Sequence, residues 1–207
     1  MSSLRHIPAA DISPRDAYLD AARDLYLDAA RACILDVGWR RTTLTEVARR
    51  AGVSRMTIYR SWSDMPQLLG DLMTREWGGV VAVAASGPEE SGTVERIVGT
   101  ATRAIRALRE NELFVRIVEL DPQLLLPYLL SRRGRSQQAI LDLVADQLRS
   151  GQATGEVRDT DPDVLARALL LATHGFVLSA HTMVDDLASE DALEAELAEI
   201  LTRAVRP

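Results

Sequence analysis

The chain contains one cysteine, no lysine, and only two Phe, four Tyr and three Trp among its 207 residues. A lone Cys33 excludes an internal disulfide and a cysteine-based zinc site, and at an apolar helical position it reads as a small core residue. Aromatics at 4%, against an abundance of Ala, Leu, Arg, Asp and Glu, favour helices over sheets. Twelve glycines and eight prolines are too few for a linker-like or low-complexity chain. The longest uncharged run, residues 168–184, carries His174 and His181, which argues against a membrane span. Residues 1–10 lack the apolar core of a secretory signal, so the cytoplasm is the expected compartment. No Gly-rich phosphate loop or nucleophile–base constellation is present, so no enzyme activity and no cofactor are expected. His174 and His181 stand seven apart, wider than the three or four positions of a helical metal pair, so no metal is expected.

What is present is a soluble-protein composition, 47% hydrophobic and 26% charged, long enough for one domain or two small ones. The net charge of −6 argues, taken whole, against a nucleic-acid partner, but it hides an asymmetry. Residues 1–75 hold eleven arginines against nine acids, whereas residues 76–207 hold thirteen against twenty-one. Between Gly38 and Trp62 six arginines (40, 41, 49, 50, 55 and 60) face a single acid, Glu46. Such a local basic footprint on an acidic body can meet phosphate.

The periodicity predicts an all-α chain. Residues 1–14, polar with two prolines, read as an arm. A helix follows over 15–37, with Ala17, Ala21, Leu25, Ala29 and Ala32 near one face and Gly38 as a left-handed cap. Thr43-Leu-Thr-Glu46 has the form of a capping box, in which Thr43 serves the Glu46 amide and Glu46 reaches back. A short helix over 44–51 ends at Gly52; Ser54 caps another over 55–60; Asp64 and Gln67 bracket the start of a third, running to about 84. Beyond a loop at 85–92, helices are expected at about 93–110, 111–120, 122–131, 136–150, 162–183 and 190–205.

Two short helices joined across Gly52-Val53-Ser54 make a helix-turn-helix pattern, with Val47, Ala48, Val53 and Ile58 as its apolar contacts. The second helix, about 10 Å long, fits a major groove about 12 Å wide. The stretch from Ala29-Ala30 to Gly38-Trp39, then Arg41-Thr-Thr-Leu-Thr-Glu-Val-Ala-Arg-Arg-Ala-Gly-Val-Ser54, Met56-Thr-Ile-Tyr59 and Trp62 closely resembles the tetracycline-repressor (TetR) family of bacterial transcription regulators. The close match covers about residues 26–72.

The resemblance implies a three-helix DNA-binding domain (15–64) and a larger helical bundle for ligand binding and dimerisation (65–207). It implies that Thr43 and Ser54 cap helices facing phosphates, that Tyr59 bonds a phosphate, and that Trp62 closes the domain where an aromatic, usually Phe, stands. Arg55, Met56 and Thr57 occupy the groove-facing start of the recognition helix, where arginine can fork onto guanine and a threonine methyl can pack on thymine. Met56 replaces a smaller residue and Met65 replaces a phosphate-binding lysine of many relatives; Arg40, Arg41 and Arg60 are placed to supply that charge. Arg49 and Arg50 read equally well as a solvated helix face.

The helix over 162–183 is apolar too far round for one core, and the resemblance pairs it and the helix over 190–205 with their copies in a homodimer. A dimer matches a palindromic double-stranded DNA operator with half-sites about 34 Å apart. Trp77, Phe114, Arg116, Glu119, Tyr128 and His174 are the polar or aromatic candidates for a ligand pocket, each also readable as core packing. A lipophilic or aromatic effector that releases a repressor is the resulting expectation. The alternatives are an activator of the same fold, or a helical protein-interaction module.

Overall fold

The computed structural model describes residues 14–88 and 92–207, with side chains from Leu19 onward. The arm expected over 1–14 lies outside these residues except for Pro14, as does part of the loop expected at 85–92. The chain is all-α, and no strand occurs among the described residues. Among the described residues ten α-helices run in order: α1 Pro14–Val37, α2 Leu44–Arg50, α3 Arg55–Ser61, α4 Met65–Ala85, α5 Thr93–Glu110, α6 Glu112–Leu120, α7 Leu126–Leu130, α8 Arg135–Thr154, α9 Pro162–Ser179 and α10 Glu190–Val205. Two compact units, Met1–Leu69 and Gly70–Pro207, meet at a boundary inside α4.

In the first unit, α1, α2 and α3 bury Ala30, Cys33, Ile34, Val47, Ala48, Ile58 and the closing Trp62, each at most 2% exposed. Burial raises the Cys33 thiol above its ordinary value and keeps it protonated, as suits a packing residue. Gly38 departs from expectation: its φ of 82° is positive, but its ψ of 162° is extended, not helical. The chain there enters a single 3₁₀ turn, Trp39–Arg41, which the periodicity did not disclose. Thr42 Oγ1 donates back to Gly38 O at 2.9 Å.

In the second unit, four helices share one core. Val94, Ile97, Val98 and Ile105 of α5 pack with Leu141, Ala145 and Leu148 of α8, Leu165, Ala166 and Leu169 of α9, and Leu197, Leu201 and Val205 of α10. The expected helix over 122–131 is instead a 3₁₀ turn, Pro122–Leu124, followed by α7, since Pro127 lacks the amide a continuous helix needs at that position. The expected helix over 136–150 extends to Thr154 because Gly151 sits inside it: a Cβ there would lie 2.4 Å from Val157 Cγ2. That close approach brings the chain after α8 back onto its own helix. The helix expected over 162–183 ends at Ser179 and tightens into a 3₁₀ turn, Ala180–Met183.

By length and composition alone, Pro162–Met183 is long and apolar enough to cross a membrane, despite its two histidines. Its inward face belongs to the shared core, yet only 28% of its most apolar stretch is buried. Val164, Ala168, Leu171 and Gly175, spaced four, three and four, leave an exposed stripe on the opposite side, with Val164 61% and Leu171 70% exposed.

His174 is half-buried on α9, and burial pushes its imidazole below the ordinary histidine value near 6.5. The unfolded chain then takes up a proton more readily than the folded one. Stability is therefore fully present above that value and is lost as the pH falls below it. Urea titrations at pH 7.5 and 5.5 should show a drop in midpoint that His174→Gln largely removes; an unchanged drop would assign it to other groups.

Candidate nucleic-acid interface

The local chemistry of residues 43–62 fixes the two short helices. Thr43, with extended backbone, accepts the Glu46 amide on its hydroxyl at 3.2 Å and starts α2. The reciprocal half of the expected capping box is absent: Glu46 turns to Arg49, whose Nε donates to its carboxylate at 2.9 Å. That guanidinium holds the Glu46 carboxyl below the usual carboxylate range. After α2, Gly52 takes a φ of 69°, which lets the Val53 amide reach back to Ala48 O at 3.0 Å and reverse the chain in three residues. Ser54 then accepts the Thr57 amide at 3.1 Å, and its hydroxyl meets the Thr57 hydroxyl at 2.8 Å. The third start also forms, with Asp64 accepting the Gln67 amide at 2.8 Å. Gln67 in return accepts from Ser63, one residue earlier than a strict box requires.

With Ile58 fully buried as the inward anchor, α3 turns Arg55, Met56, Tyr59 and Arg60 outward. Met56 is 66% exposed and Tyr59 44%, so Tyr59 is a surface residue and not part of the core. Arg55 and Arg60 have no hydrogen-bond or ion-pair partner among the described residues. Thr57 is half-buried, and Thr43 and Ser54 are exposed at the starts of α2 and α3. The arginines before α3 are engaged differently. Arg41 is exposed, but its Nε donates to Val37 O at 2.8 Å, closing the end of α1. Arg50 pairs with Asp36 of α1 and ties α2 to it, while Arg49 holds Glu46. The pair between Arg50 and Asp36 spans fourteen positions and had no signal in the local sequence pattern.

A small, rigid helix pair with an outward basic and aromatic face is the geometry of a groove-binding module. The profile described as bacterial regulatory proteins, tetR family, matches residues 27–72. An uncharacterized HTH-type transcriptional regulator of Mycobacterium tuberculosis (strain ATCC 25618 / H37Rv) is 35% identical over 168 residues, covering 81% of this chain and 85% of the relative. The chain belongs to the tetR family. It is a DNA-binding transcription regulator and not an enzyme. A relative of the same description from Mycobacterium bovis (strain ATCC BAA-935 / AF2122/97) is equally similar, at 35% identity over the same shares.

Among solved structures, the R. erythropolis transcriptional repressor QsdR from the TetR family superposes with a TM-score of 0.66 at 20% identity, covering 91% of this chain and 97% of that one. The fatty acid degradation regulator FadR of Bacillus halodurans gives 0.60 at 17%, covering 87% and 94%. SmeT, in its triclosan complex, gives 0.60 at 22%, covering 90% and 92%. These three share the fold.

The second unit of this tetR-family regulator holds the six pocket candidates, and only some of them come together. Trp77 of α4 and Phe114 of α6 meet edge to face, with ring centroids 6.3 Å apart at 90°. Both are buried, whereas Arg116 is half-buried and Glu119 is exposed on the surface of α6. The Arg132 guanidinium lies over Tyr128, 5.1 Å from its ring centroid, and His174 is half-buried on α9. Asp71, buried on α4, pairs with Arg135 at the start of α8, a contact unmarked in the sequence reading.

Proposed function

We propose that this regulator is a repressor that binds a palindromic operator as a homodimer and is released by a small lipophilic or aromatic effector. In this reading residues 15–64 bind DNA in the cytoplasm, and residues 65–207 dimerise and hold the effector. Arg41, Thr43, Ser54, Tyr59 and Arg60 meet phosphates, while Arg55, Met56 and Thr57 face base edges. The observation that carries it is the outward face of α3, where Arg55, Met56, Tyr59 and Arg60 stand exposed over a fully buried Ile58. Dimerisation draws support from the exposed apolar stripe of α9, and a dimer suits a palindrome with half-sites about 34 Å apart. Release draws support from α4, one continuous helix with residues in both units. A ligand that favours one placement of α4 changes operator affinity only by its differential binding, about 1–3 kcal/mol or roughly 5–150-fold.

The deciding experiment measures binding of the purified protein to its own promoter fragment by fluorescence anisotropy at several salt concentrations. Binding should weaken steeply, by about 10³–10⁵ between 50 and 200 mM salt if 6–10 phosphates are met across the dimer. A monomer indifferent to that fragment at low ionic strength would refute the reading. Within the interface, Arg55→Ala should lose about 1–3 kcal/mol of discrimination at one base position per half-site. Tyr59→Phe and Arg41→Ala should weaken binding uniformly across sequences. Competition with single-base operator variants separates these patterns, and an equal loss at every position would remove Arg55 from base reading. Because Arg41 also closes α1, a thermal melt of Arg41→Ala separates lost stability from lost contact.

A further inference from the structure

We propose that Asp71, Tyr128 and Arg135 are positioning residues for operator binding: they clasp α4 at Gly70 and Asp71 and fix the placement of that helix. This rests on the reading of the regulator as an operator-bound homodimer, and it names the side chains that set the spacing of its two recognition helices.

The observation is that one tied turn of the second unit grips two consecutive residues of α4. Asp71 is 8% exposed, in a stretch that also buries Leu72 and Met73. Arg135, the first residue of α8, pairs with its carboxylate, and the arginine side chain is 68% exposed, so it reaches in from the surface. One position earlier, a Cβ on Gly70 would stand 3.7 Å from Tyr128 Oη, so the phenol of α7 lies over bare α4 backbone. Tyr128 and Arg135 are themselves held together. The Arg132 guanidinium lies 5.1 Å from the Tyr128 ring centroid, and a Cβ on Gly134 would come within 3.2 Å of Tyr128 Cδ1. Gln137 bonds both sides of the turn: its Oε1 accepts the Gly134 amide at 2.7 Å, and its Nε2 donates to Tyr128 O at 3.3 Å.

The chemistry argues for placement over stability. A buried carboxylate stabilises little compared with an apolar side chain of similar size, because its desolvation offsets most of the attraction to its partner. What a directed pair adds is one preferred arrangement. Turning α4 by a single residue, about 100°, would carry the Asp71 carboxylate away from Arg135, whereas packed leucines accept such shifts more readily. The helix begins at Met65 in the first unit and passes Asp71 as it enters the second, so the clasp acts where α4 joins the bundle. In the proposed dimer, two loosened α4 helices would present α3 at a range of spacings. Only the fraction at the operator spacing binds both half-sites, and apparent affinity falls by that fraction.

The test compares two fragments of the chain's own promoter by fluorescence anisotropy with the full-length protein: the whole palindrome, and the same fragment cut to one half-site. Arg135→Gln should weaken binding to the palindrome at least about fivefold, the low end of coupling between distant sites. Half-site binding should stay unchanged, because each α3 is intact. Asp71→Asn, of the same shape, should behave alike, and the double variant should bind no more weakly than the weaker single, since both remove one interaction. Arg135→Lys keeps the charge and should retain most of the affinity. Circular dichroism verifies that each variant is folded at the temperature of the titration. Parallel loss on both fragments overturns the inference, because it reports damage to the DNA-binding unit and not lost spacing. Unchanged or tighter palindrome binding by Arg135→Gln overturns it as well, and leaves the operator reading standing. A wild-type protein that binds neither fragment refutes the operator reading itself and the inference with it.

Discussion

Trp62→Ala should destabilise the first unit by about 3–5 kcal/mol, a large part of what holds any small domain together. Trp62 follows α3, and its amide donates to Ile58 O as the helix ends. Its side chain is fully buried. The Tyr26 ring meets it edge to face at 6.4 Å, and the Arg23 guanidinium lies 4.7 Å from its ring centroid. Truncation removes the largest side chain that α1 and α3 share, and alanine leaves a void that two short helices cannot close. Chemical denaturation followed by circular dichroism measures the loss, and operator binding should vanish at temperatures where the variant has melted. Trp62→Phe should keep most of the stability and the binding, since an aromatic of the same shape class still reaches Tyr26. A change below about 1 kcal/mol for Trp62→Ala would mean that the unit is held elsewhere.

In the proposed homodimer, Leu171→Arg should leave the fold intact and abolish association. Leu171 is 70% exposed at the middle of the α9 stripe, so arginine is tolerated in the monomer. Within the proposed interface, however, a guanidinium there would be buried without a counter-charge and repelled by its copy. Sedimentation at micromolar concentration should report a monomer, and operator affinity should fall at least about 100-fold, because each half-site is then bound without the other. Leu169→Arg is the contrasting variant: 7% exposed in the shared core, it should unfold the second unit. A Leu171→Arg protein that remains dimeric would place the interface off α9.

How much was legible in advance depended on the range of the interaction. Thr43, Ser54 and Asp64 act within three residues, and all three caps form where their side chains and spacing placed them. Ile58 and Val47 are core because period and neighbours agree. The misreadings arise where two local options competed or a distant partner decided. Glu46 could reach back to a backbone amide or forward to Arg49, and the charged partner won. Arg41 and Arg50 looked like phosphate or solvent residues, but each also holds α1, through Val37 and Asp36. Gly151 gave no hint that it allows a helix to continue, since its reason lies in Val157 and Thr93. Of the pocket candidates, Trp77 and Phe114 meet only because α4 and α6 fold back, whereas Glu119, on the same apolar helix, faces out.

The uninterrupted course of α4 has a mechanical consequence. Its 21 residues make a rod about 31 Å long at 1.5 Å per residue. A tilt of about 5° about one end would sweep the other by about 2.7 Å over that length, comparable to the reach of a hydrogen bond. In the proposed release, a displacement too slight to disturb packing at one tip of this helix would be magnified at the other, with stiffness as the gear.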